Sequence, residues 1–101
     1  MISNASFITP APESEVVFCD VGGEMALLHL QRGFYYGLNR VGARIWHLLG
    51  AGRTVAEVRD TLMREFDVDA ERCEEDLQLI LQQMADAELV KIGDGATSKT
   101  T

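Results

Sequence analysis

This 101-residue chain predicts an α+β domain in which a three-stranded antiparallel sheet is followed by three helices. Three observations point to that class. Short apolar runs at residues 16–20 and 25–30 and the alternation of Phe34, Tyr36 and Leu38 read as strands, and apolar residues then recur with a helical period over residues 39–49, 54–66 and 69–84. The period changes within one short stretch, Gly33-Phe34-Tyr35-Tyr36-Gly37-Leu38-Asn39, which runs straight into Val41, Ile45, Leu48 and Leu49. The breaks between strands are short and carry glycine, which suits an antiparallel meander.

Residues 1–14, with Pro10, Pro12 and small or acidic residues, read as a flexible N-terminal arm that Phe7 and Ile8 can tack down as a short extra strand. The folded domain is expected over 15–92. Its first strand is β-branched and aromatic (Val16, Val17, Phe18), and Gly22-Gly23 turns the chain, since glycine tolerates positive φ. In the second strand Ala26, Leu28 and Leu30 form one wholly apolar face, which predicts that face inside and His29 on the surface. Gln31-Arg32-Gly33 leads to the third strand. There Tyr36 and Leu38 share the core face, and Tyr35 points the other way.

Asn39 is placed to cap the first helix, in which Trp46 is a core anchor, and Gly50-Ala51-Gly52 ends it. Thr54 and Glu57 have capping-box spacing at the start of the second helix, whose buried stripe is Val55, Val58, Leu62 and Phe66. Asp69 caps the third, with Leu77, Ile80, Leu81 and Met84 toward the core and Leu89-Val90 closing it. Residues 93–101, polar and rich in Gly, Thr and Ser, read as a disordered tail.

The net charge of -7, from 16 acidic against 9 basic residues, disfavours nucleic acid and anionic lipid and favours a basic partner. Neither a basic leader nor an apolar run marks the first ten residues, and no segment is long enough to span a bilayer, so a cytoplasmic location is expected. The two cysteines, Cys19 and Cys73, are far apart and read as thiols. No catalytic set emerges. His29 and His47 lack ligand partners at metal spacing, and the carboxylates of Glu71, Glu74, Glu75 and Asp76 read as a solvated first turn that complements the helix dipole. Neither an enzyme, a cofactor nor a metal is expected. The strand at 34–38, with more aromatic surface than its own packing needs, is a candidate docking edge for a peptide.

The ordered series Gly22-Gly23, Leu27-Leu28, Gly33 to Asn39, Gly42-Ala43-Arg44-Ile45-Trp46, Gly52 to Val58, Phe66 to Asp69 and Leu89-Val90 resembles the PqqD family. These are the RiPP recognition elements, winged-helix-like domains that bind leader segments of ribosomal peptide precursors. Met84 departs from the family's usual leucine, and Glu88 stands where the family often has glycine. The Tyr-Tyr-Gly-Leu-Asn variant looks most like the stand-alone proteins of lasso-peptide biosynthesis.

The resemblance implies a non-catalytic chaperone that takes the leader as an added strand and presents it to a leader peptidase and a cyclase. Its implied site is Phe34, Tyr35, Tyr36, Gly37 and Leu38 on the strand, with Arg72, Cys73, Asp76, Leu77, Ile80, Gln83 and Met84 on the third helix. A carrier for a radical-SAM maturase is the alternative within the family, and a winged-helix DNA binder is disfavoured by the acidic balance. An open strand edge is compatible with a monomer or a strand-mediated dimer.

Overall fold

The computed structural model describes residues 7–93. Its elements are β1 (Phe7–Pro10), β2 (Val16–Val21), β3 (Glu24–His29), β4 (Phe34–Leu38), α1 (Arg40–Gly50), α2 (Val55–Phe66), α3 (Ala70–Asp86) and β5 (Val90–Gly93). The expected meander forms a three-stranded antiparallel sheet in the order β2-β3-β4, and the three helices follow it. Register pairs Phe18 with Leu27 and Leu27 with Tyr36, which fixes the faces of all three strands together.

That register corrects the phase expected for the second strand. Met25, Leu27 and His29 face the core, while Ala26 and Leu30 are exposed. His29 is only 1% exposed, so it is not a surface residue. Alternation alone does not settle the phase, because Met25 and Leu27 are as apolar as Ala26 and Leu28. In a central strand the neighbours decide, and Val16, Leu27 and Tyr36 share one side.

A second, two-stranded sheet joins the chain ends: β1 pairs with β5, Ile8 opposite Ile92 and Pro10 opposite Val90. Ile8 is buried, and the Ala11 amide donates to the Leu89 carbonyl at 2.9 Å. Residues 7–10 of the expected arm are therefore a strand, the arrangement Phe7 and Ile8 allowed. The closing Leu89-Val90 leads into β5, where α3 has already ended. Residues 1–6 of that arm, and residues 94–101 of the expected tail, lie outside the described residues.

The helix boundaries follow local chemistry. Asn39 Oδ1 accepts from the Gly42 amide at 2.9 Å, and Asp69 Oδ1 accepts from the Arg72 amide at 2.8 Å. Thr54 and Glu57 form the full capping box. Each such cap contributes about 1 kcal/mol. α3 ends in a Schellman motif: the Leu89 amide donates to the Met84 carbonyl and the Glu88 amide to the Ala85 carbonyl, with Glu88 at φ +61°. This bond pair folds Leu89 back beside Met84. The core lies between the sheet and the helices, around Leu27, Ile45, Val58, Leu81 and Trp46. Phe18 meets Trp46 edge-on, with centroids 6.2 Å apart.

Candidate peptide-binding site

Strand order places β4 at the edge of its sheet, paired with β3 alone among the described residues. Its other side therefore presents unpaired backbone groups, with alternate residues offering an N–H and a C=O outward. That edge opens onto a groove of about 500 Å³ whose far wall is the last two turns of α3. Tyr36 and Leu38, on the core-facing side of β4, form one slope, while Ile80, Gln83 and Ala87 form the other. Met84 and Leu89 are buried beneath.

The local chain explains this shape. Gly42 lets the first turn of α1 approach β4, since a Cβ there would stand 3.3 Å from the Leu38 Cβ. The Schellman turn after α3 supplies Leu89. Tyr35 stands on the opposite face of the strand, 77% exposed, and reaches the rim, where Asn39 and Gln83 add polar groups. The surface is apolar with a polar margin, and nothing in it resembles a nucleophile set beside a base. Such a surface takes up apolar side chains of an extended segment and offers its backbone a ladder.

Of the residues expected at a site, Tyr35, Tyr36, Gly37, Leu38, Ile80, Gln83 and Met84 converge on this groove. The other five do not line it. Phe34, at the start of β4, is exposed, with the Arg32 guanidinium 5.9 Å from its ring centre. Cys73 and Leu77 are buried on the side of α3 that faces the core, and the Cys73 thiol donates to the Arg59 carbonyl at 3.9 Å. Burial pushes that thiol above its usual range, with the nearby Arg59 charge partly opposing and the carboxylates of Asp76, Glu74 and Asp60 adding to the rise. Arg72 and Asp76 are exposed and paired with each other at 3.6 Å. These four residues lie one to two turns before the groove.

Sequence reasoning missed Asn39, Gly42, Ala87 and Leu89 as lining residues. Gly42 carried a signal, a glycine inside a helix next to an edge strand. Leu89 carried none, because its position depends on the reversal at Glu88. Among the described residues no helix is long and apolar enough to cross a membrane.

Comparison with known proteins gives the site a context. The profile of the PqqD family, described as coenzyme PQQ synthesis protein D, matches residues 24–90. The fold is similar to that of TbiB1 solved in complex with the TbiA(beta) leader peptide, at a TM-score of 0.76 and 38% identity over 82% of this chain and 94% of that one. It is also similar to lasso peptide synthetase B1 complexed with the leader peptide, at a TM-score of 0.75 and 24% identity over 84% of this chain and 98% of the other. No curated protein sequence matches.

Proposed function

The chain belongs to the PqqD family of RiPP recognition elements, and on that premise we propose that it captures the leader segment of a ribosomally made precursor peptide. The observation that carries the reading is the unpaired edge of β4 opening onto the apolar groove beside α3. The leader adds as an antiparallel strand along residues 34–38, and its alternate side chains descend between Tyr36, Leu38, Ile80 and Met84. The similarity to TbiB1, which was solved with a leader peptide, supports the same class of ligand.

Energetics assign the two parts different work. A five-residue edge offers about four or five backbone hydrogen bonds, each contributing about 1 kcal/mol net. Micromolar binding needs about -8 kcal/mol after the ordering of the peptide has been offset, so the apolar groove must supply several kcal/mol. Backbone pairing sets direction and register, and the groove selects which leader side chains fit. Arg72 and Asp76, beyond the groove on α3, serve peptide residues that flank the paired segment.

The protein itself does no chemistry on the peptide. Its working unit is the domain over 15–92, with β1 packed beneath, and it acts in the cytoplasm, handing the leader to a peptidase and a cyclase of lasso-peptide assembly. The test is a fluorescence titration with labelled TbiA(beta) leader, with TbiB1 run beside it to show that the peptide is competent. Saturable binding at low micromolar Kd or tighter is expected. Absence of saturable binding to this chain, while TbiB1 binds, refutes the proposal.

A further inference from the structure

What the open edge of β4 offers depends on the phase of its ladder. The Leu30 amide donates to the Glu15 carbonyl at 2.8 Å, in register with the pairing of β2 and β3. Antiparallel pairs alternate between bonded and non-bonded, so Ala26 and Leu28 bond toward β2, while Met25, Leu27 and His29 bond toward β4. Their partners Leu38, Tyr36 and Phe34 therefore bond inward. The outward backbone groups are those of Tyr35 and Gly37, each with an N–H and a C=O, and the next outward position is Asn39.

Asn39 differs from the two before it. Its carbonyl accepts from the Ala43 amide at 2.8 Å, and its Oδ1 accepts from the Gly42 amide at 2.9 Å. Both acceptors are thus engaged by α1, whereas its backbone N–H and its Nδ2 have no partner among the described residues. Only the oxygen of a carboxamide can receive an amide hydrogen, so the Gly42 bond also settles which side-chain atom is the nitrogen. Asn39 lines the groove together with Leu38 and Gly42. That end of the groove offers donors, on a side chain already held by the helix it caps.

We infer that Asn39 binds the leader as well as capping α1: its backbone N–H and its Nδ2–H donate to oxygen atoms at the N-terminal end of the paired segment. A strand added antiparallel to β4 has its N-terminal end at Leu38. Its ladder runs over Tyr35 and Gly37 and closes on a peptide carbonyl oxygen at Asn39. Because the cap bond fixes the carboxamide beforehand, binding does not have to order it. The inference rests on the peptide-binding reading, and its test separates the two.

In the full chain, Asn39→Ser and Asn39→Asp both keep an oxygen for the Gly42 amide. Asn, Asp and Ser cap about equally well, so the melting temperature should stay at the wild-type value. Neither variant keeps the side-chain nitrogen. Labelled TbiA(beta) leader is expected to bind Asn39→Ser about three- to tenfold more weakly than wild type, the equivalent of one neutral hydrogen bond. Asn39→Asp should lose at least as much, since a carboxylate there would face a carbonyl oxygen. Affinity of Asn39→Ser within twofold of wild type overturns the inference, because a loss confined to the charged variant is repulsion and not a missing donor. Side-chain 15N–1H correlation on the wild-type protein gives a reading that needs no variant to fold. On saturation with leader one Asn39 Nδ2 proton should move downfield, and an unmoved pair of signals excludes the donation. Failure of the wild-type chain to bind leader at all would fall on the peptide-binding reading instead.

Discussion

Ile80→Asp is the sharpest test of the groove. Ile80 lies half-buried on the α3 wall, opposite Tyr36 and Leu38, with Leu77 one turn before it and Met84 one turn after. A peptide side chain of leucine size seated there contributes about 1.5–3 kcal/mol by leaving water. A carboxylate in its place removes that gain and adds about 1–2 kcal/mol for covering a polar group without a partner. The sum, about 2.5–5 kcal/mol, corresponds to a loss of roughly 60- to 4000-fold in affinity. Fluorescence anisotropy with labelled TbiA(beta) leader measures it, and thermal melting of the same sample shows whether the domain is intact. Leu77→Asp is unsuitable for this purpose: Leu77 is 2% exposed in the core, and a charge there acts on folding. A Kd for Ile80→Asp within threefold of wild type, at an undisturbed melting temperature, refutes the assignment of the groove as the site of the apolar anchors.

Other consequences can be checked without a ligand, or outside the groove. Asp76→Ala should change leader affinity by no more than about fivefold, because Asp76 is an exposed partner of Arg72 and such pairs contribute at most about 1 kcal/mol. Leu27→Ala, at a wholly buried position of the central strand, should lower the unfolding free energy in urea by about 2–5 kcal/mol, a large part of what a domain this size has. Ellman's reagent should titrate the exposed Cys19 at once and the buried Cys73 only after denaturation, since the thiolate that reacts is the form burial disfavours there. The Glu65 carboxyl is held below its usual range, chiefly by its hydrogen bond from Arg44 and against a smaller opposing effect of burial. Its contribution to stability is therefore present above the unfolded carboxylate value and lost as pH falls through the lowered folded one. Between about pH 5 and pH 3 the melting temperature of Arg44→Ala should fall less steeply than that of wild type.

The legible parts of this fold were those decided within a few residues. Asn39, Thr54 with Glu57, and Asp69 cap the three helices where their side chains alone suggested, because capping is a contact between neighbours in the chain. The strand at 34–38 was legible as an edge with Tyr36 inward and Tyr35 outward, because alternation and the abrupt turn into α1 leave little choice. Less legible was anything decided between elements. Both faces of β3 are apolar, so only register against β2 and β4 could put His29 inside. The pairing of β1 with β5 joins residues eighty or more positions apart, and four-residue strands leave little periodic signal.

The site divides along the same line. Of the residues expected from the sequence, those at 35–38 line the candidate groove, and on α3 the groove takes Ile80, Gln83 and Met84 but not the earlier Arg72, Cys73, Asp76 and Leu77. Cys73 and Leu77 share a helical stripe with Leu81 and Met84, and all four are buried. A helix packed on a core gives that stripe to the core, so a groove beside it must use the adjacent row, which here is Ile80, Gln83 and Ala87. Met84 belongs to both: it is buried and also lines the groove, two residues before the helix ends. The rotation between the two rows is small on a helical wheel but decides whether a substitution tests binding or folding. It follows that the most informative variants are those at 80 and 83 on α3 and at its cap residue 87, beside the buried row of Cys73, Leu77, Leu81 and Met84, although periodicity alone also turns Ile80 toward the core.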